Sequence, residues 1–248
     1  MGHGTHRCGR YAAALAALAV SLAAQQPPHV VLAIADVSTD LYQHDSISHA
    51  LSTIEDLGLR AGLYDTVIRT DTQLITKRAI AAATGTLTFY RNLDDFDAIV
   101  WFASGDPPLD EQQKKDLLSF VREGRGLVVL HSGAGAFPHW PEFADMIGGR
   151  TAENPEAVKD HTVRILAMDN PAMKLFPQSF QIRDNLSHVK LVEGARVLAT
   201  SKGVPVVWTK SYGKGRVFVS QFGHTDAVWN RPDIRHMALE AIRWAISR

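Results

Sequence analysis

Two periods of hydrophobic residues alternate along the first half of this chain. HVVLAIADV (29–37), YDTVIRT (64–70), FDAIVWFAS (96–104) and GLVVLHS (126–132) are short runs rich in β-branched and aromatic residues, and they read as strands. Between them, SISHALSTIEDLGLRAG (46–62) sets Ile47, Leu51, Ile54 and Leu57 on one helical face and stops at Gly58 and Gly62. DEQQKKDLLSFVREG (110–124) opens acidic, turns Leu117, Leu118 and Val121 inward and stops at Gly124. LITKRAIAAA (74–83) predicts a weaker helix. Strand and helix alternating at this spacing make right-handed βαβ units and a parallel sheet.

The second half changes rhythm. HTVRIL (161–166), ARVLAT (195–200), PVVWTK (205–210) and RVFVSQF (216–222) are close-spaced strands. Tyr212-Gly213-Lys214-Gly215 joins the last two as a hairpin turn. DIRHMALEAIRWAISR (233–248) is a closing helix with Met237, Ile242 and Trp244 to bury. Trp101 and Trp208 lie inside strands and are expected in the core.

The amino-terminal segment stands apart from this pattern. Arg7 and Arg10 precede a 14-residue apolar run, Tyr11 to Ala24, that ends in small residues before Gln25-Gln26-Pro27-Pro28. This is the layout of a secretory signal peptide, and the run is short for a membrane span. The expectation is a signal over 1–24, one domain over 25–248, and export to the periplasm or outside, with no stable membrane association after cleavage. Cys8 is the sole cysteine and leaves with the signal, so the mature chain has neither disulfide nor thiolate ligand. Taking Arg7 and Arg10 from 26 basic residues, against 26 acids, leaves a net charge of −2. The basic residues are scattered and not interleaved with aromatics, which excludes nucleic acid as a partner. A homo-oligomer is compatible with the sequence.

Open parallel sheets bind ligands beyond the carboxyl ends of their strands. Asp36 follows the first strand, Ser104 the third, His131-Ser132-Gly133 the fourth, and Gly223-His224 the strand RVFVSQF. Two histidines directly after two apolar strands belong on one rim of the sheet. A nucleophile elbow would need glycine at 130 and 134, where the chain has Leu130 and Ala134. A phosphate loop fails too, because no Gly-Lys-Ser/Thr follows. A divalent metal would need His and carboxylate ligands, with His131 and His224 as candidates and His161, Asp184 or His139 beside them. Trp140 and Trp229 follow the rim histidines and are candidate pocket walls. His29, His44, His49 and His236 read as surface or packing residues.

Several stretches, in order, carry a resemblance. LDEQQKKDLLSFVREGRGLVVLHSGAG, HWPEFADMIGGR, DNPAM, LFPQSFQIRDNL and VPVVWTKSYGKGRVFVSQFGHTDAVWNRPDIRHMALEAIRWA resemble the ThuA-like (trehalose-utilisation) domain family. The resemblance covers about residues 30–247 and is most specific from 109 onward. It implies an α/β fold like the class I glutamine amidotransferases: a flavodoxin-like three-layer sandwich, with a mostly parallel sheet and a C-terminal β-hairpin. The amidotransferase cysteine is replaced by the His131-Ser132-Gly133 turn, so glutamine amidotransferase chemistry is excluded. Family members commonly carry Asp-Glu-Tyr where this chain has Asp184-Asn185-Leu186. The resemblance implies carbohydrate metabolism, with His131, His224 and Asp184 as the catalytic candidates. Asp36, Ser104, Ser132, Gly133, Trp140 and Trp229 are the substrate-binding candidates. The expected partner is a sugar or keto-sugar derivative. A non-catalytic binding domain and a metal-dependent hydrolase are the alternatives.

Overall fold

The computed structural model describes Met1 and residues 28–35, 43–80, 91–151 and 157–247. The signal expected over 1–24 therefore lies outside the described residues, Met1 aside, as does Asp36. The first four strands are β1 (His29–Ile34), β2 (Tyr64–Arg69), β3 (Ala98–Trp101) and β4 (Gly126–Leu130). Helix α1 (Ile47–Ala61) joins β1 to β2, and α2 (Glu111–Arg122) joins β3 to β4. Asp110 starts α2 by a reciprocal cap: its carboxylate accepts the Gln113 N–H while the Gln113 side chain accepts its own. The 74–83 segment departs from expectation over 74–80, where turn, bends and irregular backbone replace a helix; residues 81–83 lie outside the described residues. The Asp116 carboxylate accepts from both the Thr76 hydroxyl and the Lys77 N–H, which draws that backbone out of a helix.

The rest of the chain adds α3 (Pro141–Ile147), β5 (Gly149–Thr151), β6 (Lys159–Ile165), β7 (Ser179–Asp184) and β8 (Val189–Leu191). It ends with β9 (Arg196–Ser201), β10 (Val204–Tyr212), β11 (Gly215–Ser220), α4 (Asp226–Trp229) and α5 (Pro232–Ile246). Nine strands form one sheet in the order β2-β1-β3-β4-β11-β10-β9-β6-β7, while β5 and β8 pair separately. From β2 to β11 the pairing is parallel; from there outward it is antiparallel, beginning with the β10–β11 hairpin. Only β10 and β6 run against the common direction.

Alternate residues of the parallel strands feed two cores. Val31, Ala33, Val128 and Phe218 face α1 and α5 with Ile54, Met237 and Ile242. Leu32, Ile99, Val129 and Val217 face α2 and α3 with Leu117, Phe120 and Met146. The result is helix, sheet, helix: the three-layer α/β fold that the resemblance implied. Trp101 and Trp208 are fully buried as expected, whereas Trp244 stays 36% exposed with the Arg216 guanidinium over its ring. Among the described residues no helix is long and apolar enough to cross a membrane.

Candidate functional site

Strands β4 and β11 are parallel neighbours, with Leu130 opposite Ser220. Their carboxyl ends therefore open side by side. The chain leaves β4 into a 3-10 turn, His131–Gly135, and His131 itself adopts φ +48°. A non-glycine residue in this left-handed region costs free energy and is worth explaining. The strand thus runs directly into a tight turn whose first residue is an imidazole. Gly133 is what lets the turn sit so low, because a Cβ there would lie 2.7 Å from the Trp101 carbonyl oxygen. It is a packing requirement, and Gly133 does not reach the cavity wall.

The turn after β11 is held from several sides. Gly223 adopts φ +137°, and a Cβ on it would come within 3.1 Å of His131 Cβ. Its carbonyl accepts from the Ser46 hydroxyl and from Trp229 Nε1, each at 3.0 Å. Its N–H donates to Asp184 Oδ2 at 2.9 Å, and the His224 N–H donates to Oδ1 at 3.1 Å. The Asn185 N–H donates to Oδ1 as well, at 2.8 Å. Strand β7 lies four places beyond β11 in the sheet, yet its last residue, fully buried Asp184, fastens this turn. Burial pushes the Asp184 carboxyl above its ordinary pKa, while the three N–H donors and the nearby His224 pull the other way. Its oxygen stays 3.9 Å from His131 Nδ1, so Asp184 positions the histidine loop through the backbone.

His131 Nδ1 lies 2.9 Å from the Gln221 carbonyl oxygen, a group that can only accept. That nitrogen therefore carries the proton, and Nε2 presents a lone pair. Nε2 faces His224 Nδ1 at 3.3 Å. A third imidazole, His44, meets both edge-on, with ring centroids 4.6 Å from His131 and 5.0 Å from His224. One nitrogen from each of the three lies within 4.8 Å of the others. Burial lowers the His131 pKa to about 4, with the His224 charge adding to it against the Gln221 carbonyl. Burial and the two neighbouring imidazoles lower that of His44 to about 3. Both rings are thus neutral at physiological pH.

All three imidazoles line one cavity of about 520 Å³. Ser104 and Ser132 line it too, although the Ser132 hydroxyl donates to the Phe102 carbonyl at 3.1 Å. Trp229 and Trp140, expected as walls, are not among its lining residues. Trp229 is buried, with its indole N–H satisfied by Gly223, and Trp140 packs on Phe137 and Phe143. His161 stands apart from the three-imidazole group: it is buried in β6, with Nε2 lacking a hydrogen-bond partner. His139 is exposed at the cavity mouth. His44 is the residue the sequence reading misplaced as surface or packing. It sits in the β1–α1 connection, at the same carboxyl end of the sheet, so the rim rule applied to connections as well as strand ends would have found it. Asn185, Ser187 and Gln221 also line the cavity and were not expected there.

The fold and this site define an α/β protein with an imidazole-walled pocket at the carboxyl ends of its parallel strands. A family model described as ThuA, trehalose utilisation, matches residues 33–245, and the chain belongs to that family. It is similar to a ThuA-like protein from Parabacteroides merdae, at 17% identity and a TM-score of 0.67, covering 89% of this chain and 91% of that one. It is similar to another from Bacteroides uniformis, at 17% identity and a TM-score of 0.68, covering 90% and 94%. A Salmonella typhimurium protein named as cytoplasmic matches at 11% identity and a TM-score of 0.61, over 88% and 98%. At such identities these likenesses show the fold. No curated protein matches the chain.

Proposed function

We propose that this ThuA protein binds and acts on a sugar or keto-sugar derivative in the cavity beside His131 and His224. The observation that carries this reading is the chemistry of the cavity wall. Besides the three clustered imidazoles and His139, its polar residues include Ser104, Ser132, Thr151, Asn185, Ser187 and Gln221, all neutral hydrogen-bonding groups. Arg150 is the only formally charged side chain on the wall among the described residues. Such a lining suits an uncharged polyhydroxyl ligand, since each hydroxyl both donates and accepts. A pair of carboxylates, as most glycosidases use, is not found on the wall among the described residues.

The role of His131 is narrowed by its environment. A general base works best with a pKa near the operating pH, and about 4 is far below it. Ligand recognition or metal ligation fits this ring better than proton abstraction. Thermal shift of the purified chain against a panel of sugars and keto-sugars, with His224→Ala alongside, tests the reading. A ligand at 100 times its Kd adds about 2.7 kcal/mol. In a chain of this size that is a rise of roughly 5–10 °C. The rise is expected to shrink in His224→Ala. If no carbohydrate shifts the parent, the proposal fails; a shift without turnover supports the non-catalytic version.

Export belongs to the same proposal and is supported by the layout of residues 1–24. Mass spectrometry of the protein recovered from cell fractions should find an N-terminus near residue 25 in the exported fraction. A chain starting at Met1 in the cytoplasm would refute export.

A further inference from the structure

We propose that His44, His131 and His224 form a three-histidine centre for a divalent transition metal, zinc foremost, with an open coordination position facing the cavity. The spacing of the nitrogens fits such an ion. Two imidazole nitrogens on a tetrahedral zinc, each bonded at about 2.0–2.1 Å, stand roughly 3.3–3.4 Å apart. His131 Nε2 and His224 Nδ1 stand 3.3 Å apart. A nitrogen of His44 completes the group, with all three inside 4.8 Å.

The groups behind the rings fit such an ion as well. Ligating histidines almost always donate their other ring N–H to a carbonyl or carboxylate, which fixes the tautomer and aims the lone pair. His131 does this with the Gln221 carbonyl at 2.9 Å, leaving Nε2 for the metal. The His224 loop is fixed through its backbone by buried Asp184, and the Gly223 carbonyl by Ser46, two residues after His44. One clamp thus ties together the two loops that carry His44 and His224.

The group is also open to the cavity. All three rings line the cavity, so a fourth position points into open space and not into packed side chains. Three protein ligands and one open position are the pattern of catalytic zinc sites, where water or a substrate oxygen completes the shell. If a sugar derivative occupies the cavity, as proposed above, one of its oxygens would take that position; the metal centre itself does not depend on that reading.

The test uses metal ions alone, so it is independent of any carbohydrate result. The full chain is stripped with chelator and titrated with zinc, and separately with cobalt(II), whose visible spectrum reports tetrahedral nitrogen ligation. One equivalent of zinc should bind per chain. His44→Ala and His224→Ala should each lower affinity about 100-fold or more, beyond the 10–100-fold typical of losing an outer-shell partner. His236→Ala, at a partly buried histidine on α5 outside the cavity wall, should leave it unchanged. Circular dichroism of His44→Ala, at a ring only partly buried, confirms that the variant folds. Azide should perturb the cobalt spectrum by entering the open position. No stoichiometric binding, or a His44→Ala affinity equal to the parent's, overturns the centre. A cobalt spectrum indifferent to azide overturns the open position.

Discussion

Asp184 is the residue whose removal tests the architecture of the site most directly. Its side chain is fully buried and accepts three backbone N–H groups, from Asn185 at 2.8 Å, Gly223 at 2.9 Å and His224 at 3.1 Å. In Asp184→Ala all three donors lose their acceptor. Each buried unsatisfied group costs about 1–3 kcal/mol, and partial relaxation makes the total closer to 4 than to 9 kcal/mol. Asp184→Asn differs in kind. Its amide oxygen can replace Oδ1 and keep the Asn185 and His224 bonds, but its NH2 then faces the Gly223 N–H, donor against donor. The expected cost is about 2 kcal/mol. For a chain of this length 1 kcal/mol moves Tm by roughly 2–4 °C. The expected falls are therefore about 4–8 °C for Asn and 8–16 °C for Ala. Urea denaturation and calorimetry on the metal-free proteins give the numbers. Asp184→Ala melting within 2 °C of the parent, or Asn proving worse than Ala, would refute the claim that this carboxylate anchors the His224 loop.

Three further outcomes follow from particular contacts. Gly133→Ala should destabilise by about 2 kcal/mol, because its methyl meets the Trp101 carbonyl oxygen at 2.7 Å. Gly135→Ala, whose methyl approaches only the Thr151 hydroxyl at 3.1 Å, should cost well under half as much; equal melting temperatures would contradict this. Trp229→Phe should lose about 1 kcal/mol with its hydrogen bond to Gly223, yet leave any ligand affinity within about twofold, since the ring is outside the cavity wall. A large affinity loss at unchanged structure would return Trp229 to the pocket. Asp97 carries the pH prediction. Burial alone would raise its pKa, but the Val30 N–H, His29 and Arg125 outweigh it and hold the carboxyl below its ordinary 3.8. The stability it contributes is therefore in place above about pH 3.8 and is lost as pH falls below it, and Asp97→Asn should flatten that part of the acid-unfolding curve.

What the sequence made legible divides along physical lines. The apolar runs of β4 and β11 and the hairpin after Tyr212 are local signals, and with strand direction they suffice to put His131 and His224 on one rim. His44 was hidden because no apolar strand delivers it; its place depends on how the β1–α1 connection folds over the sheet, with Ser46 held by Gly223, 177 residues away. The partners of Asp184 were hidden for a similar reason. The pattern SFQIRD alternates exposed and buried residues, so a strand with Asp184 inward is readable. That this strand sits at the sheet edge yet reaches the β11 turn is a matter of tertiary curvature. Trp229 shows the opposite error. An aromatic near a functional histidine suggested a wall, but its indole N–H had a carbonyl to satisfy inside the core.

The backbone of His131 ties these threads together. A buried residue at φ +48° that is neither glycine nor asparagine carries a conformational cost of order 1–3 kcal/mol. Its side chain also meets two other imidazoles in a poorly solvated pocket. In a metal-free chain the ring's hydrogen bonds to the Gln221 carbonyl and to His224 Nδ1 offset part of that cost, at about 0.5–1.5 kcal/mol each. Asparagine shares with histidine a tolerance of this region, and its amide can still donate to the Gln221 carbonyl. Metal-free His131→Asn should therefore lie within about 2 kcal/mol of the metal-free parent, while its zinc affinity collapses. Zinc should then raise the melting temperature of the parent and not that of the variant. A variant destabilised by more than about 2 kcal/mol without metal would mean that the imidazole is held for its packing, and the strain at His131 would need a different explanation.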